Sequence, residues 1–417
     1  MGPEKKILLI AYYFPPLGLG GVNRPWALYE YLPDFGFDVT VLTIKNIVYP
    51  ACDFSRDIRA DENSIVRTES LDPARLMYKL GLRRAALSPG ARSAASWLNF
   101  PDSKRGWNLF ARNEAAKIVM RKNIGIVITT SPPPSVHLIG MKLKAEYPVK
   151  WIADFRDFWF SLPIEMIYPT DLQRKYALNL KRKITASADH LVSVNNSIHD
   201  YLGGGTVITN GADPRIAERW QTAVKKDPER FIIGILGTID DLCPIEPLFR
   251  IIRSAAEPYP EILKKVSIVH VGRIDSRRTF NLAEKYSLSA ALELKGYLPR
   301  DQAVDCLAAV DLLYFSVSRF GRFDILPGRL FDYLVSGKPI LAVVPPASDA
   351  ETLLNEANRE GAFAPDKISE AARYLEKLYQ NWHRREKPPG NRTPHLEKYT
   401  TKTMAAKYAD LLDDLIR

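Results

Sequence analysis

Two short apolar runs constrain this chain more than any other feature: Lys6-Ile-Leu-Leu-Ile-Ala-Tyr-Tyr-Phe14 and Phe231-Ile-Ile-Gly-Ile-Leu236. Neither alternates apolar with polar residues, so each reads as a strand buried on both faces, as in a parallel sheet covered by helices. After the first comes a Pro/Gly-rich turn through Gly21. A helical pattern carrying Trp26, Leu28, Tyr31 and Leu32 runs on to Pro33, and Asp38-Val-Thr-Val-Leu-Thr43 is a second strand. After the second run the theme repeats, with Gly237, a helix over 245–256, and the strand Val266-Ser-Ile-Val-His-Val271 ending at Gly272. Strand, glycine turn, helix, strand is the βαβ unit of a parallel sheet. Further strands are expected at 124–130, 150–153, 190–194 and 206–209, then at 292–295, 311–315 and 339–344, with helices between. The expected fold class is α/β, two Rossmann-like doubly wound domains facing a cleft. The Gly203-Gly204-Gly205 run and the Asn210-Gly211 turn mark the break. The expected domains are therefore 1–210, 211–395, and a terminal amphipathic helix within 396–417.

Length permits this, since 417 residues exceed one ordinary domain. Three scattered cysteines without Cys-x-x-Cys spacing argue against a disulfide framework and a zinc site, and favour a reducing compartment. The opening apolar run stops at Pro15-Pro16 and is too short to cross a bilayer. A cytoplasmic location is expected, with association to the inner face of the membrane left open. The net charge of +10 is uneven: residues 1–210 hold 27 Lys and Arg against 19 Asp and Glu. Within them, 75–122 carries eleven basic residues against Asp102 and Glu114 alone. Large apolar residues interleave there, in Met77-Tyr-Lys-Leu-Gly-Leu-Arg-Arg-Ala-Ala-Leu87 and Trp97-Leu-Asn-Phe100. Such a stretch either lies against an anionic membrane or packs on its own domain with a solvated charged face. No nucleic-acid motif accompanies the basicity.

Three stretches carry candidate chemistry. Gly18-Leu-Gly20-Gly21 follows the first strand, where glycines let backbone approach an anionic group, and Arg24 heads the next helix. The bland alternative is a tight turn with no ligand. Asp154-Phe-Arg156-Asp157 follows the strand at 150–153, three charges in four positions at a strand's carboxyl end. A structural Asp–Arg pair is the competing reading. Asp324-Ile-Leu-Pro-Gly328-Arg329-Leu-Phe-Asp332 opens a short helix. Its free N–H groups and Arg329 suit a phosphate, Asp332 can accept from ribose hydroxyls, and Asp324 can reach a second sugar. A solvated helix face competes with that assignment. Gly237, Thr238, Gly272 and Arg273, at strand ends of the second half, are the other expected nucleotide-binding positions.

Over nearly its full length the chain resembles the retaining glycosyltransferases of family 4, of GT-B fold. The matching pieces are Tyr13-Phe-Pro-Pro-Leu-Gly18, Asp154-Phe-Arg-Asp-Phe-Trp159, Ile208-Thr-Asn-Gly-Ala-Asp213, Lys295-Gly-Tyr-Leu-Pro-Arg300 and Pro327-Gly-Arg-Leu-Phe-Asp-Tyr-Leu-Val-Ser-Gly-Lys-Pro-Ile340. The family's pair of acids falls on Asp324 and Asp332, where glutamates are usual. The resemblance implies that the first contacts the transferred sugar and the second the nucleotide ribose. It also implies a nucleoside diphosphate sugar as co-substrate with no separate cofactor, and transfer to a glycan or lipid-linked acceptor in surface polysaccharide synthesis. Two departures stand out. The loop Gly237-Thr-Ile-Asp-Asp-Leu-Cys-Pro244 lacks the family's Arg and Lys, which leaves the diphosphate to Arg329, Arg273 or Arg322. The family histidine after the fourth strand is missing, and His137 either substitutes or is an ordinary helix residue. Asp324, Arg329, Asp154 and Asp157 are accordingly the expected catalytic residues. Gly20, Gly21, Arg24, Arg156 and His137 are the expected acceptor-binding ones. With no Asp-x-Asp at a strand end, metal independence is expected. A sugar-nucleotide epimerase and a non-catalytic nucleotide-sugar-binding protein remain the alternatives.

Overall fold

The structure, a computed structural model, describes residues 5–54, 64–81, 100–159, 162–221, 229–319, 321, 323–386 and 396–417. Arg322, residues 82–87 and Trp97-Leu-Asn99 of the expected motifs lie outside them. The chain divides into two compact units, one made of Met1–Thr209 with Met404–Arg417 and the other of Asn210–Thr403.

The first unit is built on a seven-stranded parallel sheet in the order β3-β2-β1-β4-β5-β6-β7. Its strands are β1 (Lys6–Ala11), β2 (Asp38–Ile44), β3 (Ile65–Thr68), β4 (Ile126–Ser131), β5 (Lys150–Phe155), β6 (His190–Ser193) and β7 (Thr206–Val207). In β1, Ile7 pairs with Val39 on one side and Ile126 on the other. Successive side chains point to opposite faces. Ile7 and Leu9 meet Trp26 and Leu28 of helix α1 (Asn23–Tyr31) and Tyr408 and Leu412 of the terminal helix Thr401–Ile416. Leu8 and Ile10, on the other face, are equally buried. That face belongs to α2 (Asn108–Lys122), α3 (Val136–Glu146) and α4 (Asp171–Ser187). Burial on both faces is why β1 and β4 are apolar without alternation. Gly140 lies where α3 crosses Trp151 of β5, and a Cβ there would stand 2.1 Å from the indole nitrogen. Thr129 Oγ1 accepts from that same nitrogen at 2.8 Å.

The second unit repeats the order with six parallel strands, β10-β9-β8-β11-β12-β13. They are β8 (Phe231–Leu236), β9 (Val266–Val271), β10 (Leu292–Leu294), β11 (Leu312–Ser316), β12 (Ile340–Val343) and β13 (Ala362–Phe363). One face packs Ile233, Ile268 and Leu341 against Leu248, Phe249 and Ile252 of α5 (Glu246–Ala255). The other packs Val269, Leu313 and Ala342 against Val304 and Leu307 of α6 (Arg300–Ala308) and Leu330, Phe331 and Leu334 of α7 (Arg329–Val335).

Numbered within each unit, the second sheet reads 3-2-1-4-5-6 and the first 3-2-1-4-5-6-7, the doubly wound order. Strand order reverses between β1 and β4, and again between β8 and β11. Connections leave in opposite directions at such a point, and a crevice opens at the carboxyl ends of the two strands. Edge strands β3 and β13 were not expected from sequence, being short and only partly buried.

Candidate functional site

At the reversal point of the second sheet, the guanidinium of Arg329 sits across the two strand ends. Its Nη1 donates to Leu236 O at 3.0 Å and Thr238 O at 2.7 Å, and its Nη2 to Ser316 O at 3.3 Å. The Tyr333 hydroxyl, one turn along α7, accepts from Leu236 N at 2.7 Å. Residues four apart share a helix face, so α7 grips the end of β8 twice. Three carbonyls accept from its Nη1 and Nη2, while its buried Nε has no hydrogen-bond partner among the described residues. Arg329 thus positions the loop after β8 and keeps its positive charge, since neutral carbonyls do not cancel it.

Above that guanidinium three glycines stack the neighbouring strand ends. Gly237, Gly272 and Gly296 have φ of 93°, 148° and 70°. A Cβ on Gly272 would stand 2.1 Å from Gly237 O, so only glycine fits. Gly237 N donates to Val271 O and Gly272 N to Gly296 O, each at 2.8 Å. His270 Nε2 bonds Gly237 O at 2.8 Å, and burial pushes its imidazole down to about 4, so it is neutral there. Next to Gly272 the Arg273 side chain is exposed, and it has no polar partner among the described residues. Thr238 is also exposed. The loop itself is acidic: Asp240 caps Leu242 N and Cys243 N, and Asp241 pairs with Arg278 at 2.9 Å.

Each expected acid carries an arginine that sequence reasoning gave no role. Asp324 is held by Arg319 Nε at 2.7 Å, and Arg319 also donates to Pro346 O. Asp332, nearly buried, is held by Arg300 Nη2 at 2.8 Å. Gly328, just before α7, is exposed, with the Asn210 amide nearest to the place of its missing Cβ. Both pairs fix a short aspartate carboxylate in place and cancel its charge. The signals for them were Arg300 at the head of α6 and Arg319 just past β11.

The first sheet places another guanidinium at its own reversal point. Arg156, following β5, donates to Ser131 O at 2.7 Å, to Pro132 O at 3.3 Å, and to the carbonyl of Gly21. Gly20 and Gly21 form a single 3₁₀ turn leading into α1. The half-buried Asp157 is pushed up to about 6 by burial, with Arg156 opposing.

Arg24 and Asp154, expected to face an acceptor and the chemistry, are structural. Arg24 donates from Nε to both Asp154 oxygens, at 3.2 and 3.1 Å, and from Nη2 to Oδ1 at 3.0 Å. Thr209 O, Met404 Sδ and the Tyr408 hydroxyl take the remaining donors, and Thr130 Oγ1 donates to Asp154 Oδ2 at 2.6 Å. Neither side chain reaches solvent. The pair instead ties α1, β5 and the terminal helix together. His137 is likewise a core residue. It is fully buried, bonded through Nδ1 to Thr129 Oγ1 at 2.8 Å and packed 4.3 Å from the Phe155 ring. Burial pushes it down to about 3, so it stays uncharged.

No family model and no curated protein matches the chain. Its backbone matches solved structures over nearly their whole length. A sucrose-phosphate synthase from Thermosynechococcus elongatus superposes with a TM-score of 0.63 at 14% identity, covering 99% of each chain. Anabaena HepE in complex with UDP gives 0.63 at 13% identity, covering 98% of this chain and 100% of that one. A glycosyltransferase from Rickettsia africae gives 0.61 at 13% identity, covering 99% and 98%. The fold is GT-B.

Two measurements probe the first unit. Breaking a buried pair from one side leaves an unpaired charge, so Arg24→Met and Asp154→Ala should each cost about 3–5 kcal/mol in urea denaturation. The double variant should cost clearly less than the two together. Asp157 has a folded pKa above its unfolded one, so the stability it lends is complete below about pH 4 and is lost as pH rises through about 6. Asp157→Asn should therefore match the wild type in melting temperature near pH 4 and exceed it at pH 7.

Proposed function

We propose that the protein is a glycosyltransferase whose second unit binds a nucleoside diphosphate sugar and whose first unit binds the acceptor. The observation that carries this reading is the set of strand ends at Gly237, Gly272 and Gly296, where bare backbone meets the exposed Arg273 at a reversal point of the sheet. A diphosphate approaches backbone only where side chains leave room, and Arg273 is an exposed cation there with no polar partner among the described residues. Asp332, oriented by Arg300, accepts from the ribose hydroxyls, and Asp324, oriented by Arg319, from the transferred sugar. The HepE structures are complexes with UDP and UDP-glucose, which supports this donor class.

In the proposed reaction the bond from the anomeric carbon to the diphosphate breaks with its electron pair. The acceptor hydroxyl oxygen bonds to that carbon on the same face, with retention, and its proton leaves on the diphosphate. No metal ion and no separate cofactor is required, so EDTA should leave turnover unchanged. The acceptor is a glycan or a lipid-linked sugar of a surface polysaccharide.

The test is thermal denaturation with UDP, ADP, GDP and TDP and their glucose conjugates, because only ligands of the folded state raise the midpoint. At least one should do so, and Arg273→Ala should weaken it by roughly tenfold, the scale of one charge-assisted contact. A panel that leaves the midpoint unmoved rules out this reading. Binding without release of the diphosphate, even with acceptor glycans present, favours the non-catalytic alternative.

A peripheral contact with anionic lipid is part of the same proposal. Among the described residues no helix is long and apolar enough to cross a membrane. Along α4, Leu172 and Tyr176 are more than half exposed, beside exposed Lys175, Arg182 and Lys183. Leu109 and Met120 of α2 are each 62% exposed on the same layer of helices. Near an anionic surface each basic residue contributes about 1 kcal/mol. The protein should therefore sediment with phosphatidylglycerol-containing vesicles but not with neutral ones. Reversing Lys175, Arg182 and Lys183 to glutamate should cut that partitioning at least a hundredfold, on the order expected from three such contacts.

A further inference from the structure

A cluster at the carboxyl ends of β1 to β4 remains outside the roles given so far. Tyr12 and Tyr13 follow β1 directly, with ring centroids 5.0 Å apart and edge to face. Tyr49, on the loop after β2, lies 5.6 Å from Tyr13 at 43°. Tyr13 and Tyr49 are both half-buried. The place of a Cβ on Gly21 lies 3.8 Å from Tyr13, which sets the tyrosine pair beside the reversal point of the first sheet.

The polar groups around these rings are unevenly satisfied. The Tyr12 hydroxyl donates to Asp72 at 2.8 Å, and Asp102 accepts from Ser135 N and Oγ. Both acids are buried and hydrogen-bonded. Lys104 is not. Its side chain is 19% exposed, its Nζ stands 3.8 Å from Asp72 and 5.6 Å from the Tyr12 ring centre, and among the described residues no hydrogen bond reaches it. The Tyr13 hydroxyl likewise has no hydrogen-bond partner among the described residues. An ammonium flanked by two carboxylates carries no surplus positive charge with which to hold an anion. It does offer donors to neutral hydroxyls.

We propose that Tyr13, Tyr49 and Lys104 form the subsite for a pyranose ring of the acceptor. The C–H bonds on one face of a pyranose are weakly positive and pack against the negative face of an aromatic ring. Its hydroxyls are amphoteric, and a few fixed donors at the rim of an aromatic patch orient such a ligand. Lys104 Nζ and the Tyr13 hydroxyl supply those donors. A membrane-surface role for the same residues would require surplus positive charge, which Asp72 and Asp102 remove. The inference rests on the acceptor being held by the first unit, as proposed above, and it adds the residues that hold its sugar ring.

The test is saturation-transfer NMR on the full chain with the methyl pyranosides of glucose, galactose, mannose and N-acetylglucosamine. The expected result is transfer to the ring protons of at least one. Tyr13→Leu and Tyr49→Leu, which keep bulk but lose the aromatic face, should each reduce it at least fivefold. Lys104→Met should weaken it with the stacked protons unchanged in order. Melting temperatures of the free variants and the rise given by nucleoside diphosphates act as controls for folding and for the second unit. Pyranosides that fail to bind the wild type, or bind both leucine variants equally well, overturn the subsite. If pyranosides bind and no nucleoside diphosphate does, the subsite stands and the glycosyltransferase reading falls.

Discussion

A guanidinium laid across the strand reversal is the interaction on which both halves of this protein depend. A doubly wound parallel sheet must send its connections opposite ways from two adjacent strands, and there the last carbonyls lose their ladder partners. Arg329 answers this in the second sheet by bonding Leu236 O, Thr238 O and Ser316 O. Arg156 answers it in the first by bonding Gly21, Ser131 O and Pro132 O. The planar fork of arginine can serve three diverging acceptors at once, which a lysine ammonium would do with less fixed geometry. Each crevice therefore has a rigid cationic floor, and whatever binds meets loops already held in position.

The same accounting explains why the most suggestive charged residue in the first half proved structural. Asp154 ends β5, where a charge was expected to face the crevice, and Arg24 heads α1. Their partnership spans 130 residues of sequence, and no local pattern could announce it. Once Thr209 O, Met404 Sδ, Thr130 and Tyr408 join, the guanidinium and the carboxylate are surrounded by partners, and the pair can be fully buried.

The sequence carried most of the strands, though not their order, because a strand buried on both faces needs an unbroken apolar run. Such runs are visible at Ile7–Ala11, Ile126–Ile128, Ile233–Leu236 and Ile340–Val343. It was silent on β3 and β13, whose edge positions relax that demand. It showed Asn108–Lys122 only as charge, since the buried side of that helix is made of Ala111, Ala115, Ile118 and Val119. In the candidate site the glycines were legible, because positive φ and close backbone approach restrict the residue type. The acids Asp324 and Asp332 were singled out by the resemblance to the family's pair of acids. Their arginines were not: Arg300 and Asp332 meet only because α6 and α7 pack on one face of the second sheet.

The acidic loop after β8 follows from these pairings. With Asp240 capping Leu242 N and Cys243 N, and Asp241 matched to Arg278, the loop's own carboxylates are engaged locally. Arg329 beneath and Arg273 beside it then leave the strand ends net positive without any cation in the loop. Asp324 and Asp332 do not reverse that balance, since Arg319 and Arg300 cancel each in turn. Positive potential is thus supplied from neighbouring strands and helices, while the loop stays free to present backbone. A Cβ on Gly272 would collide with Gly237 O, which keeps the backbone of these strand ends bare.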